Sequence, residues 1–177
     1  MVLLHFCAGS NRVSTAVTTA ERNSLPRIRE FLGHKRLAFV GVSRNPQEFS
    51  RHLMAEFVRR GYDVVPVNPS TAEIDGLACF PRVQDVPTPV SAALLLTAAS
   101  ETLQVVQDCL AAGVMDVWMY RAGGTGAVSP EAVEFCQQQG MRAVVGECPF
   151  MFLPETAFFH RLHGFVRRIL GSYPQAS

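Results

Sequence analysis

The segment Gly41-Val42-Ser43-Arg44-Asn45-Pro46-Gln47-Glu48-Phe49-Ser50-Arg51 gathers groups that bind anions. Gly41 lets a ligand approach the backbone where a side chain would block it. Ser43 and Ser50 bring hydroxyls. Arg44 and Arg51 bring guanidinium groups suited to phosphate oxygens. The amides that open the helix after the loop add partial positive charge. The chemistry these residues imply is phosphate binding. The plainer alternative is an ordinary loop, with Ser50 capping the helix and both arginines in solvent. Glu48 opposes an anionic ligand unless it points away. The loop is also not a dinucleotide fingerprint. The pattern G-x-G-x-x-G has Ser43 and Pro46 at its second and third glycine positions, and the second strand ends in Val67-Asn68-Pro69 with no acid for a ribose hydroxyl.

Few other residues have the types and spacing of catalysts. Cys148 stands at the end of a strand, where a thiol could act as a redox switch or form a mixed disulfide with a thiol cofactor. A small buried residue ahead of the structural Pro149 is the favoured reading. Cys109, Cys136 and Trp118 read as core. Of the five histidines, none falls in a loop at the carboxyl edge of a strand. His160 and His163 lack an identifiable third ligand, so no metal site is expected. Gly123-Gly124-Thr125-Gly126 could form a second anion loop but reads more readily as a flexible turn, placed at a strand's carboxyl end near any ligand. The five cysteines are scattered without a C-x-x-C pair, as in a reduced, cytoplasmic protein.

The elements that must position these groups follow from periodicity. Continuous apolar runs predict strands over 37–42, 62–67, 92–97, 114–120 and 141–145. Apolar residues at helical spacing predict helices over 50–60, 101–112 and 129–140, closed by Gly61, Gly113 and Gly140. Strands alternating with helices imply right-handed crossovers and a doubly wound, Rossmann-like parallel sheet of about five strands. Ligands of such sheets bind at the carboxyl ends of the strands. A short helix opened by Ser24 and Pro26 is expected before the first strand, and a helix over 154–170 after the last. The expected organisation is an N-terminal extension (1–33), a binding domain (34–149) and a C-terminal helical extension (150–177). The final helix packs on the same domain or pairs with a second copy in a homodimer.

Composition narrows the functions. A chain of 177 residues with 48% apolar and 18% charged residues fits one core. Its net charge of +1 is too small for duplex nucleic acid held through phosphate neutralisation. No apolar run reaches the roughly 18 residues of a membrane span. The opening MVLLHFCAGS has no basic residue ahead of its apolar stretch and is not expected to act as a secretory signal.

Several further motifs fall in order along the chain: Pro66-Val67-Asn68-Pro69, Gly76-Leu77-Ala78-Cys79-Phe80-Pro81 followed by Val86-Pro87, Val117-Trp118-Met119 and Glu147-Cys148-Pro149. With Gly41-x-Ser43 they resemble the small stand-alone CoA-binding proteins, and through them the N-terminal CoA-binding domain of the succinyl-CoA synthetase α-subunit and of NDP-forming acyl-CoA synthetases. The resemblance spans about 34–149. It implies coenzyme A or an acyl-CoA as ligand. It places the CoA phosphates on Gly41, Ser43, Arg44 and Asn45, with Ser50 at the helix start. It puts Asn68 and Pro69 beside the nucleotide, and Thr97, Ala98, Met119, Tyr120 and Arg121 where the family closes over the cofactor. Cys148 matches the cysteine before the family's proline. The synthetases carry a phosphorylated histidine and a nucleotide-binding partner for which this chain has no room, so binding without catalysis is expected. The role would be regulator, carrier or accessory subunit. Two other readings stand beside it: an NAD(P)-dependent oxidoreductase with a degenerate loop, and an interaction protein with a vestigial nucleotide pocket.

Overall fold

The computed structural model describes residues 23–121, 124 and 126–154. The expected helix over 154–170, His160, His163 and most of the segment before Ser24 lie outside these residues. Five parallel strands form one sheet: β1 (Arg36–Val40), β2 (Asp63–Val67), β5 (Ala92–Leu95), β6 (Asp116–Met119) and β7 (Arg142–Val145). Their order is β2-β1-β5-β6-β7. The register pairs Leu37 with Val64 and Ala92, and Trp118 with Leu94 and Val144. Between β2 and β5 a short antiparallel pair, β3 (Glu73–Ile74) and β4 (Leu77–Ala78), forms a ladder of its own.

Helices cover both faces. α1 (Leu25–Gly33) and α2 (Phe49–Arg59) lie on one, α3 (Ala99–Ala111) and α4 (Pro130–Gln138) on the other. Successive strand residues point to opposite faces. Leu37, Phe39, Ala92, Leu94, Trp118 and Val144 therefore join the core under α1 and α2, while Ala38, Val40, Ala93, Leu95, Val117 and Met119 join the core under α3 and α4. With both faces covered, each strand reads as an unbroken apolar run, and this is why the sequence exposes the strands so clearly. The doubly wound architecture matches the expectation.

The ends of the elements differ from the sequence reading. β1 stops at Val40 because Gly41 turns to φ +88°, outside strand geometry. α2 starts at Phe49 with Glu48 at the N-cap position, so Ser50 is its second residue and not its cap. The strand expected over 114–120 narrows to Asp116–Met119, because the Val114 amide still bonds back to the helix carbonyl of Cys109 at 2.8 Å. Ser24 does cap α1, its Oγ accepting from the Arg27 amide. Ser129 caps α4 in the same way, its Oγ accepting from the Ala132 amide.

A buried ion cluster sits at the amino edge of the sheet. Asp116, 1% exposed, accepts from Arg27 of α1 and Arg142 of β7, and both arginines also reach Glu30. His34 Nε2 lies 3.3 Å from the same carboxylate.

Candidate functional site

The strand order reverses at β1, so the loops after β1 and β5 diverge and leave a crevice at the carboxyl edge. Gly41 lies at its base. Its amide donates to Val67 O at 2.9 Å, and a Cβ on it would sit 2.9 Å from Thr97 N and 3.0 Å from Leu96 C. The two backbones touch here, and no larger residue fits without moving one of them.

Beyond Gly41 the loop winds through local hydrogen bonds. The Ser43 amide donates to Ser50 Oγ (3.0 Å), the Asn45 amide to Ser43 Oγ (3.1 Å), and the Gln47 amide to Asn45 Oδ1 (3.1 Å). Ser50 thus anchors the start of the loop to the start of the helix. Glu48 and Asn45 are exposed, and no side chain caps the first amides of α2. The Arg44 side chain is exposed and has no ion-pair or hydrogen-bond partner among the described residues.

Arg51 is placed differently from the expectation. Its Nε and Nη2 donate to the Asp75 carboxylate, and its Nη1 donates to the carbonyls of Ser43 (3.3 Å) and Arg44 (3.1 Å). The guanidinium holds the underside of the loop. Asn68 is also a scaffold: Nδ2 donates to Val42 O at 2.8 Å and Oδ1 accepts from the Ser70 amide at 2.8 Å, clasping the first two loops together. Pro69 beside it is exposed.

At the neighbouring strand ends, Thr97 Oγ1 lies 3.2 Å from Thr102 Oγ1, and Ala98 is exposed at the N-cap position of α3. Met119 needs a correction: it is fully buried within β6, so its side chain offers nothing to a ligand at the edge. Tyr120 is half-buried and stacks on Phe49, ring centroids 4.8 Å apart and planes 8° from parallel; Phe150 meets Phe49 edge-on at 5.5 Å. Burial, and next the proximity of Cys148, push the Tyr120 hydroxyl pKa well above its ordinary value. Arg121 is exposed and has no side-chain partner among the described residues, its guanidinium lying over Gly146, where a Cβ would come within 3.5 Å of it. Burial also pushes the Cys148 thiol up, against the opposing pull of the Phe150 and Met151 amides. A thiol held protonated is a poor nucleophile.

The roles of three features escaped sequence reading. Asp75-Gly76 forms the turn between β3 and β4, with Ile74 opposite Leu77. Both turn residues have positive φ, +52° and +77°, as a type I′ hairpin requires. The Asp-Gly dipeptide is the signal that would have found it. Glu147 is buried at the β7 end, its carbonyl accepting from Trp118 Nε1 at 2.9 Å and its Oε1 accepting from Asn23 Nδ2 at 3.2 Å. Phe49 contributes the stacked ring described above.

A crevice at the reversal of a doubly wound sheet, lined by a glycine-led loop and a helix N-terminus, defines the class of α/β domains that take ligands at this edge. The chain belongs to the CoA binding domain family, whose match spans residues 35–154. It is similar to an uncharacterised protein of Bacillus subtilis, 24% identical over 126 residues that make up 71% of this chain and 90% of that one. It is 28% identical to an ADP-forming acetate–CoA ligase (I) of Archaeoglobus fulgidus over 70% of this chain but 19% of the ligase. A second ligase (II) of that organism is matched over 15% of its length, so the chain spans only a small part of these enzymes. Among solved structures, a hypothetical protein from Pyrococcus horikoshii superposes with a TM-score of 0.65 at 26% identity, covering 81% of this chain and 94% of that one. The dinucleotide-forming acetyl-coenzyme A synthetase 1 of Ca. Korarchaeum cryptofilum, in complex with phosphate and ADP, gives 0.54 at 30% identity over 62% of this chain and 25% of that one. Among the described residues, no helix is long and apolar enough to cross a membrane.

Proposed function

We propose that this protein binds coenzyme A or an acyl-CoA in the crevice between the loops after β1 and β5, and acts by binding and not by catalysis, as a regulator, carrier or accessory subunit in the cytoplasm. One observation carries the reading. Arg27, Arg36, Arg51, Arg59, Arg60, Arg82 and Arg142 are all committed to carboxylates. Among the described arginines, Arg44 and Arg121 are unpaired, as is Arg29 on α1. Arg44 and Arg121 both follow strands at the carboxyl edge. Their strands, β1 and β6, are separated by β5, about 10 Å in all. Two uncommitted cations beside a helix N-terminus suit a ligand with several phosphates. The family to which the chain belongs supports CoA as that ligand.

Titration calorimetry of the reduced protein with CoA, desulfo-CoA and NAD⁺ tests the reading. Micromolar binding of CoA and desulfo-CoA, with none of NAD⁺, is expected. At a hundredfold excess over Kd, such a ligand stabilises the fold by about 2.7 kcal/mol, a thermal shift of roughly 5–10 °C. Heat from NAD⁺ alone would favour an oxidoreductase. No heat from any of the three would point to a vestigial pocket.

A further inference from the structure

The hairpin β3–β4 joins the sheet through the isolated pairing of Val67 with Phe80 and packs Ile74 and Cys79 into the core under α1 and α2. Its turn carries the only non-glycine residue with positive φ among those described, Asp75. Aspartate tolerates that conformation better than most residues, yet glycine would adopt it freely. The Asp75 side chain answers why an acid stands there. Its two oxygens take Nε and Nη2 of Arg51, while Nη1 of the same guanidinium takes the carbonyls of Ser43 and Arg44. Arg51 is nearly buried at 11% side-chain exposure, so it is held from two sides and not swinging in solvent. With the Ser43 and Arg44 carbonyls drawn toward Arg51, the peptide amides that follow them face the other way. Those belong to Arg44 and Asn45; the Asn45 amide is taken by Ser43 Oγ at 3.1 Å, which leaves the Arg44 amide for an anion.

We propose that Asp75 and Arg51 form a positioning pair: the hairpin aspartate orients the arginine, which fixes the peptide planes of residues 43–45 for an anion. In this arrangement Arg51 is not a ligand group, and anion binding depends on a hairpin that does not touch the anion. The proposal rests on the CoA-binding reading for its ligand, but its geometry is testable without one.

The test is a double-mutant cycle with Asp75→Gly, which keeps the turn, Arg51→Gln, and the two combined. Affinity for CoA is read by calorimetry, and amide hydrogen exchange is read in the ligand-free proteins. Each single variant is expected to weaken CoA binding about two- to fivefold, the scale of a partly exposed ion pair, and the double variant no further. Amides of Ser43 and Asn45 are expected to exchange faster in all three variants, with the β1–β5 ladder unchanged. Losses that add in the double variant would overturn the proposal and make Arg51 a direct ligand. Unchanged exchange at 43–45 would also overturn it. If the native protein binds no CoA, the functional reading fails, and the exchange data still decide the positioning pair.

Discussion

Gly41→Ala separates the cost of a conformation from the cost of a contact. A left-handed backbone at a non-glycine residue costs about 1–2 kcal/mol. The restricted unfolded chain returns about 0.4–1 kcal/mol of that. Gly61→Ala meets only this balance: its φ is +78°, and nothing lies within 4 Å of the added Cβ. At Gly41, with φ +88°, the Cβ also arrives 2.9 Å from Thr97 N and 3.0 Å from Leu96 C. Backbone cannot rotate away as a side chain can, so the ends of β1 and β5 must separate. Forcing a methyl into such a fit adds about 1–3 kcal/mol. The expected gap between the two variants is therefore about 2 kcal/mol, or roughly 4–8 °C in Tm for a domain of this size. Urea and thermal unfolding followed by circular dichroism measure it directly. Because the damage lies at the base of the crevice, Gly41→Ala should also lose CoA affinity under conditions where it remains folded, and Gly61→Ala should not. Equal destabilisation by the two substitutions would refute the claim that the switch-point strands touch at Gly41.

Other expectations follow from the same geometry. Ser43→Asp places a carboxylate between Arg44 and the start of α2, so CoA affinity should drop at least tenfold in calorimetry with Tm little changed; undiminished affinity would remove the loop from the site. The Cys148 thiol, raised by burial, should react with iodoacetamide at neutral pH far more slowly than free cysteine, and Cys148→Ser should keep CoA affinity; rapid alkylation would refute the burial argument. Burial and then the charges of Arg142 and Arg27 hold the His34 pKa below its ordinary value, with Glu30 partly opposing and Asp116 nearby. Unfolded chains therefore take up this proton first on acidification. The stability linked to His34 is complete above about pH 6.5 and is lost as pH falls through the lower folded value. His34→Gln should flatten that limb of a Tm–pH curve; a curve that keeps the same slope would clear His34. Asp116→Asn leaves Arg27 partly buried beside a neutral amide and should cost about 2–4 kcal/mol in urea unfolding, with CoA affinity preserved because the cluster lies at the opposite edge.

The sheet was legible because burial on both faces writes itself as apolar runs, as in Leu37–Val40 and Ala92–Leu95. The same property hid the boundary between core and ligand edge. Nothing in Val117-Trp118-Met119-Tyr120 marks where burial ends, and Met119 fell on the wrong side of it. The loop from Gly41 to Ser50 was legible as residue types but not as roles. Ser50 looked like a cap, yet its hydroxyl is taken by the Ser43 amide seven residues back. Arg51 looked like a phosphate ligand, yet its partner is Asp75, 24 residues on, and no local pattern reports a pairing at that range. The hairpin escaped because strands of two residues have no periodicity to read, leaving Asp75-Gly76 as the sole sign.

α1 gives the chain two different beginnings. Family likeness starts at residue 35, just after this helix. The physical domain starts earlier. Phe31 packs edge-on against Trp118 at 5.2 Å, and the Leu32 carbonyl accepts from the Tyr62 hydroxyl at 2.7 Å. Asn23 imitates a neighbouring strand, its side-chain amide giving a 2.7 Å bond to Val145 O and taking one of 2.9 Å from Val145 N. A protein trimmed to residues 35–154 would keep the loop, the hairpin and all five strands. It would also open Trp118 to water and leave Asp116 without Arg27. The segment that the family match covers and the segment that closes the core are therefore different lengths of chain, and an excision at the bounds of the match would cut through the second.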